Sequence, residues 1–282
     1  MKHIPVLLKE VLDALGDIKN RTVVDCTFGA GGYSRAFLEH VAKVIAFDRD
    51  TNVMEDANKL HNKYGEKFRF INAPFAEIKQ LASDDFDDIV FDLGISSMQI
   101  DNAERGFSFR FDAPLDMLMD AKNGITAANL IKNTSVDELA NILYEYGDIK
   151  KSHMFAKLLK NKQPLTTFQL RDLINNPKDI APIFQALRMA VNDEMGQLKS
   201  ALDSANKLLR PGGKCICVTF HSVEDRIVKN TFKQWVDVSG DPRIPSIAEK
   251  QYKTIKSLTP SAAELENNPR ARSAHMRGVE KL

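Results

Sequence analysis

The sequence has few cysteines and no long hydrophobic run. Its three cysteines, Cys26, Cys215 and Cys217, include no C-x-x-C pair, and each lies in a strand-like run. We therefore expect small buried side chains in a reducing compartment, and no metal site. No apolar run approaches the roughly 20 residues of a membrane-spanning helix. Charged residues interrupt the N-terminal segment too early for a signal peptide. These absences predict a cytoplasmic protein without a membrane partner.

The sequence also lacks an excess of either charge. Its 282 residues include 39 lysines and arginines against 38 aspartates and glutamates, a formal net charge of +1. Overall charge therefore argues neither for nor against a nucleic-acid partner, and any polyanion site has to come from local clustering. The length allows one large domain, or one domain with a sizeable insertion.

Short apolar runs alternate with helix-period segments in the first third of the chain. Strands are predicted at 22–28, 43–48, 68–73, 87–93 and, much later, 214–220, with helices at 33–41, 51–64 and roughly 75–82. Alternation of helices with nearly continuous apolar strands is typical of a parallel sheet covered on both faces. Such sheets bind ligands at the carboxyl ends of their strands.

The alternation stops between the fourth and fifth predicted strands. Residues 126–176 are predicted to form only helices, with capping-box patterns that begin at Ser135 and Thr166. A long helix over 183–209 is expected to lead back to the fifth strand. Residues 237–269 are polar, contain four prolines and are predicted to form an extended surface loop.

A glycine loop follows the first predicted strand, within VVDCTFGAGGYSR, residues 23–35. It lacks the Lys-Ser/Thr end of a P-loop and, with serine at position 34, the third glycine of a dinucleotide-binding motif. Gly31 and Gly32 permit close approach of a ligand, and the N-terminus of the next helix favours a carboxylate. Asp25 would repel a pyrophosphate but attract an ammonium group. An amino-acid ligand is therefore expected.

Asp48 closes the second predicted strand, where an acid typically accepts hydrogen bonds from ribose hydroxyls. An amino acid joined to a nucleoside without phosphates describes S-adenosylmethionine. The alternative for the glycines alone is a tight turn that packs strand on helix. Asp50 is expected to cap the following helix.

Asp92 lies at the carboxyl end of the fourth predicted strand. It could accept a hydrogen bond from an amine on which positive charge develops during methyl transfer, or it could bind the cofactor. Its position alone does not separate these roles. Methylation of a cytosine ring carbon would require a cysteine nucleophile near this strand end, and none is present. Transfer to nitrogen or oxygen remains.

Several further patterns have two interpretations each. The alternation Phe107, Phe109, Phe111 indicates either a buried strand face or a stacking platform for a splayed base. His221, after the fifth strand, is either structural or a substrate contact. The three arginines within residues 268–277 either position phosphates or form salt bridges. One helix also carries a polar stripe that either faces solvent or borders a substrate groove: Gln185, Arg188 and Asn192.

Six ordered motifs resemble the bacterial RsmH (MraW) family: PVLLKEVLDAL, DCTFGAGGYS, DLGISSMQIDNAERGFSFR, FQALRMAVNDE, FHSVEDRIVK and NPRARSA. The resemblance covers nearly the whole chain. It implies a class I SAM-dependent methyltransferase fold, Rossmann-like with a mostly parallel sheet, divided into residues 1–108 and 183–282. Residues 109–182 would be an inserted helical substrate-recognition domain. The implied reaction methylates N4 of a cytidine in the decoding region of 16S rRNA, with the small ribosomal subunit as partner.

The resemblance also assigns site residues. The family's cofactor contacts correspond to Gly31, Gly32, Tyr33, Asp48, Phe75, Asp92 and Gln99. Asp92 and His221 are the catalytic candidates. Tyr33 replaces a more usual histidine, which a contact through the backbone N–H should tolerate. Leu118 stands where the family usually has arginine, and residues 146–152 also depart from the family pattern, which bears on RNA contacts of the insert.

Three rival functions compete with this interpretation. A dinucleotide-dependent oxidoreductase is disfavoured by the missing glycine and by Asp25. A methyltransferase acting on nitrogen in another RNA keeps the same cofactor. A non-catalytic RNA-binding protein with a vestigial pocket is disfavoured because Asp25, Asp48 and Asp92 are all intact.

Overall fold

The computed structural model describes residues 5–82, 86–120, 123–237 and 250–282. The chain divides into two compact units. Met1–Gly94 with Gln197–Leu282 form one, here called the sheet unit, and Ile95–Gly196 form the other, the helical unit. The helical unit extends beyond the predicted 109–182 at both ends, because flanking side chains such as Phe107 and Leu187 are buried in its core.

Within the described residues the sheet unit contains one seven-stranded sheet. Its strands are β1 (Thr22–Asp25), β2 (Lys43–Asp48), β3 (Phe68–Asn72), β4 (Phe86–Asp92), β5 (Leu209–Thr219), β6 (Tyr252–Leu258) and β7 (His275–Lys281). The order across the sheet is β3-β2-β1-β4-β5-β7-β6. The first five strands are parallel, and β7 runs antiparallel to both neighbours. The predicted mostly parallel α/β sheet is confirmed, with the helical insert between β4 and β5.

The described residues form thirteen α-helices. In chain order they are α1 (Leu8–Leu15), α2 (Gly32–Glu39), α3 (Met54–Tyr64), α4 (Ile78–Leu81), α5 (Ser97–Asp101), α6 (Ala127–Asn133), α7 (Val136–Gly147), α8 (Ser152–Lys162), α9 (Thr167–Asp172), α10 (Pro177–Val191), α11 (Glu194–Leu208), α12 (Ser222–Val236) and α13 (Ala262–Asn267). Ser135 and Thr166 cap α7 and α9, as the sequence predicts. No described helix is both long enough and apolar enough to cross a bilayer.

The predicted single helix over 183–209 is wrong, because the chain breaks between α10 and α11. Asp193 adopts a left-handed conformation, with φ of 46°. The side chain of Asn192 accepts a hydrogen bond from the N–H of Met119 and donates to the carbonyl of Met117. These contacts tie the end of α10 to a distant segment of the helical unit, which helical periodicity does not reveal.

The prediction of a loop over 237–269 is also partly wrong. Residues 238–249 lie outside the described residues, but β6 and α13 fall within the rest of that range. Along β6, Tyr252 is buried while most other side chains are exposed. Such an edge strand, pairing only with β7, does not show the continuous apolar pattern of the inner strands.

The predicted strand at the phenylalanine alternation is wrong, whereas the alternative of a stacking platform stays a prediction. Phe107 is buried, and Phe109 packs edge-to-face on Phe184, with ring centroids 5.3 Å apart. Phe111 is exposed, at 51% of its reference area. The segment forms no strand in the described structure, so the first two rings belong to a helical core and the third faces solvent.

The predicted polar stripe of α10 is not a solvated face, whereas its alternative, the border of a substrate groove, stays a prediction. Arg188 is buried and binds Glu194 through two hydrogen bonds of 2.8 and 3.0 Å. Gln185 donates to the carbonyl of Tyr146. Burial of a charge requires a partner of opposite charge, and the Arg188–Glu194 pair meets that need across the break between α10 and α11.

Candidate functional site in the sheet unit

Acidic side chains gather at the carboxyl edge of the parallel strands. Asp25 ends β1, Asp48 ends β2 and Asp92 ends β4. Asp25 is paired in register with Ala46 of β2 and Val90 of β4, so the three strand ends are neighbours. This is the edge at which parallel sheets bind ligands. The structure therefore brings together the three carboxyl groups that the sequence singled out.

The glycine loop between β1 and α2 is closely packed by the protein itself. Gly31 has φ of 72°, and a Cβ there would meet the ring of Phe28 at 2.8 Å. A Cβ on Gly32 would collide with the ring of Pro5. The sequence predicts that these glycines permit the close approach of a ligand. The structure adds that each also makes room for a neighbouring side chain of the sheet unit.

The side chain of Tyr33 points into the protein. It is buried, and its hydroxyl donates to the carbonyl of Val6. The next residue along, Leu7, has a left-handed backbone and donates its N–H to Glu264 of α13 over 2.6 Å. Tyr33 thus anchors the N-terminal segment beside the glycine loop. Its predicted cofactor contact stays a prediction that concerns the backbone N–H in the first turn of α2.

Asp25 is buried and has two hydrogen bonds within the loop region. The Ser34 hydroxyl donates to one carboxyl oxygen over 2.6 Å, and the N–H of Thr27 donates to the other over 3.1 Å. Burial raises the pKa of Asp25, and these hydrogen bonds act against that rise. The sequence did not anticipate this bracing role, and serine at position 34 alone carries no signal for it.

Asp48 holds the backbone of two neighbouring segments. Its carboxyl oxygens accept hydrogen bonds from the N–H of Gly29, over 2.8 Å, and of Asp50, over 2.9 Å. Burial is the main cause that raises the pKa of Asp48 to about 6. Asp50 itself accepts from the N–H of Asn52 at the turn before α3, which confirms its predicted capping role.

Asp92 is the least satisfied acid of the edge. Its backbone N–H donates to the Thr27 hydroxyl over 2.7 Å, but its Oδ1 is buried and has no hydrogen-bond partner among the residues that the structure describes. Burial raises the pKa of Asp92 well above its usual value, and the charges of Asp25 and Glu224 raise it further. A buried carboxyl oxygen that has no partner is costly, so this atom indicates a place for a ligand.

Glu224, in the first turn of α12, is an acid beside Asp92 that is not among the residues predicted from the sequence. It is buried, and its Oε2 accepts hydrogen bonds from the N–H groups of Phe220 and His221 over 2.9 and 3.2 Å. The spacing of three residues from His221 is that of a capping box, which could have identified it. His221 is partly exposed at the start of α12, so its two predicted roles both remain open.

Two other predicted cofactor contacts lie on separate units. Phe75 follows β3 in the sheet unit and meets Phe91 edge-to-face at 5.8 Å, partly exposed. Gln99 belongs to the helical unit, where its Oε1 accepts the N–H of Ser96 and completes the capping box of α5. Both assignments stay predictions.

One of the three C-terminal arginines forms a salt bridge, and for the other two both interpretations stay open. Arg277 donates two hydrogen bonds to Asp225, over 2.7 and 2.9 Å, and His275 bonds the same carboxylate. Together they hold the pKa of Asp225 below its usual value despite burial. Arg277 is therefore a structural salt bridge, whereas Arg270 and Arg272 are exposed.

The electrostatics of the edge suit a cation. The charges of Asp25 and Glu224 add to the effect of burial in raising the pKa of Asp92, and no positively charged group among the described residues opposes the raised pKa of Asp25 or Asp92. A positively charged ligand would favour the ionised carboxylates and offset the cost of burying them. Among the described residues no cluster of histidine, cysteine and acidic side chains could hold a metal.

Comparisons with known proteins agree along the whole chain. The model of the MraW methylase family matches residues 1–282. A ribosomal RNA small subunit methyltransferase H of Mesorhizobium japonicum is 42% identical, over 99% of this chain and 87% of its own length. The protein of the same name from Wolbachia sp. subsp. Drosophila simulans is 40% identical over 100% of both chains. A solved rRNA methylase from Streptococcus thermophilus is similar at a TM-score of 0.46, with 12% identity over 100% of this chain and 99% of that one. With a family model matched from end to end and relatives at least 40% identical over 87% or more of their own length, the chain belongs to the MraW methylase family.

Proposed function

We propose that this protein transfers a methyl group from S-adenosylmethionine to N4 of a cytidine in the decoding region of 16S rRNA. The relatives named above act, by their names, on small-subunit ribosomal RNA. The observation that carries the chemistry is the buried, unpartnered Oδ1 of Asp92 at the carboxyl end of β4. Both the rRNA and its assembled subunit would be met in the cytoplasm.

The carboxyl edge fits S-adenosylmethionine in charge. When bound, this cofactor supplies an electrophilic methyl group on a positively charged sulfur, beside an ammonium and a carboxylate. Asp25 and Asp92 provide buried negative charge for the cationic groups. The backbone N–H groups at the start of α2, around Gly32 and Tyr33, suit the carboxylate. Asp48 would accept the ribose hydroxyls and Phe75 would contact the adenine.

Asp92 serves the amine of the substrate in this scheme. The lone pair of an exocyclic amine is delocalised into the base, so positive charge develops on nitrogen as the new bond forms. A carboxylate oxygen without a competing partner accepts a hydrogen bond from that amine and stabilises the charge. The raised pKa of Asp92 falls again once a cation is bound beside it, which keeps the acceptor ionised.

Cysteine chemistry does not compete with this proposal. Cys26, Cys215 and Cys217 are all buried and free, as predicted. Burial raises the thiol pKa of Cys26 and of Cys217 well above the usual value, so neither forms a ready thiolate. A cysteine-dependent attack on a ring carbon therefore has no nucleophile among the described cysteines, which leaves transfer to nitrogen or oxygen.

The test is methyl transfer in vitro from labelled S-adenosylmethionine. Small ribosomal subunits from cells that lack the protein are compared with free 16S rRNA and with large subunits. We expect label only in 16S rRNA within small subunits, recovered by mass spectrometry as N4-methylcytidine. Label in free rRNA alone would overturn the choice of the assembled subunit. Absence of label from every RNA, with cofactor bound, would overturn the proposed reaction.

A further inference from the structure

One segment of the helical unit concentrates positive charge. Residues 149–171 contain five lysines and one arginine and no acidic residue, in a chain whose formal net charge is only +1. The segment comprises α8, the turn after it and most of α9. Lys157 and Lys162 are exposed on α8. Charge is thus segregated locally, and a clustered basic face is the electrostatic signature of a polyanion partner.

Beside this basic segment, two stretches of chain are joined by hydrogen bonds. Thr167 donates its hydroxyl to the carbonyl of Phe111 over 2.6 Å and its N–H to Ala113 over 2.9 Å. Leu115 donates its N–H to the carbonyl of Leu165 over 2.9 Å. The pairing brings the residues before α9 alongside those that follow Phe109.

The paired stretches carry apolar side chains that face solvent. Phe111 is 51% exposed and Leu165 is 65% exposed. Phe168 is half-buried, and the guanidinium of Arg171 lies over its ring, 3.7 Å from the centroid. Exposed rings and a flat guanidinium are the groups on which unstacked bases stack. We call Phe111, Leu165, Phe168, Arg171 and the lysines of α8 the α8 surface.

Two acidic residues next to the α8 surface are engaged, and a third, Asp137 of α7, lies 3.9 Å from His153 of α8. Asp112 accepts the N–H of Phe168 over 3.2 Å, and Asp172 pairs with Arg171 over 2.8 Å. Elsewhere in the helical unit the balance differs, since the neighbouring helix α7 carries Asp137, Glu138 and Glu145 and no lysine or arginine. The basic residues of α8 are therefore joined to the exposed side chains through the short turn between α8 and α9, and Phe111 is held to that turn by Thr167.

We propose that the α8 surface binds single-stranded RNA, with bases stacked on Phe111 and on the Phe168–Arg171 pair and phosphates held by the lysines of α8. The inference rests on the proposed function only in naming ribosomal RNA as the source of that strand. A duplex fits less well, because its bases are already stacked and cannot reach the rings. A patch of rings without the lysines would instead suit a protein partner.

The experiment measures binding of the full-length protein to a fluorescent single-stranded RNA of about 12 nucleotides, within the range of known single-strand sites. Phe111→Ala and Phe168→Ala should each weaken binding about ten-fold, without changing the dependence on salt. The double variant Lys157→Gln/Lys162→Gln should make RNA affinity less sensitive to salt. The slope of the logarithm of the association constant against the logarithm of salt concentration should become shallower by about 1.4, or about 0.7 for each phosphate that the protein no longer neutralises. The RNA duplex of the same sequence should bind more weakly, and its affinity should be the same for the wild type and for Phe111→Ala.

Tyr144→Ala is the matched control, because Tyr144 is 57% exposed on the acidic helix α7 of the same unit. It should bind RNA as the wild type does. Cofactor affinity, measured by calorimetry, reports on the sheet unit and should be equal in every variant. Wild-type RNA affinity in both phenylalanine variants would overturn the inference, and so would equal affinity for the duplex and the single strand. If the variants change RNA affinity as expected but the wild type transfers no methyl group, the result would contradict the proposed function and not the RNA-binding surface.

Discussion

β4 carries one aspartate near its amino end and another at its carboxyl end, and the two carboxyl groups have opposite environments. Asp88, near the amino end, is fully buried and accepts hydrogen bonds from Arg21 over 2.7 and 3.0 Å and from the N–H of Lys214 over 3.0 Å. Asp92, at the carboxyl end, has a buried oxygen without a partner. Burial raises the pKa of both, but Arg21 opposes the rise at Asp88, whereas Asp25 and Glu224 increase it at Asp92.

The difference separates a saturated acid from an unsatisfied one within a single strand, and the proposed function assigns the unsatisfied one to the ligand. An acid that the protein needs for its fold is given a counter-charge and saturated with donors. An acid reserved for a ligand is left unsatisfied, at a cost in stability that the fold tolerates. Under the proposed function, Asp88 near the amino end of β4 would maintain the fold and Asp92 at the carboxyl end would serve the reaction. Three predictions can break or sharpen this comparison.

The largest effect is expected for Asp92→Asn. Loss of the carboxylate removes the acceptor for the substrate amine, so turnover should fall by roughly 10²–10⁴-fold. The free energy of unfolding should stay equal or rise, because a buried unpaired carboxyl group has been removed. Single-turnover methyl transfer and urea denaturation measure the two quantities. Normal turnover, or a marked loss of stability, would place Asp92 with the structural acids.

A smaller effect, now on stability alone, is expected at the other end of the strand. Arg21→Met leaves Asp88 buried without its counter-charge and should lower the free energy of unfolding by about 3 kcal/mol. Asp88→Asn should cost less, about 1–2 kcal/mol, since the partly exposed Arg21 can turn to solvent. Turnover per folded molecule should be unchanged in both. Equal costs for the two variants would contradict this explanation.

The smallest effect concerns Asp48 and pH. Its folded pKa, about 6, lies above the unfolded value of about 3.9, so the folded state binds more protons between these values. Its contribution to stability is therefore present below about pH 4 and is lost as pH rises to 6. Stability of Asp48→Asn relative to the wild type should rise across this window. Denaturation curves at several pH values measure that difference, and a flat difference would mean that Asp48 ionises normally.

Much of the carboxyl edge could be predicted from the sequence because its signals are local. Asp25, Asp48 and Asp92 each follow an apolar run, and parallel strands bring such ends together. The bracing of Asp25 by Ser34, the anchoring of Val6 by Tyr33 and the hold of Glu264 on Leu7 could not be predicted. They join residues far apart in the chain or depend on side-chain direction, which periodicity does not encode.

Predictions from the sequence are wrong where tertiary contacts, rather than the local pattern of apolar and polar residues, determine the structure. The residues of α10 and α11 resemble one helix because their apolar spacing continues through Asn192, whose bonds to the segment 117–119 break it. The polar stripe containing Arg188 resembled a surface because its partner Glu194 lies beyond that break. The edge strand β6 resembled a loop because it buries so few side chains.

The sequence by itself determined the family, the parallel sheet and the acids at its carboxyl edge. These follow from apolar runs, glycine positions and motif order, all of which are local properties of the chain. Only the tertiary structure decided which acids are satisfied, since that depends on counter-charges such as Arg21, which lies 67 residues from Asp88. It also decided which phenylalanine reaches solvent. Burial and pairing are properties of the packed chain, and they separate residues that stabilise this protein from those left available to its ligands.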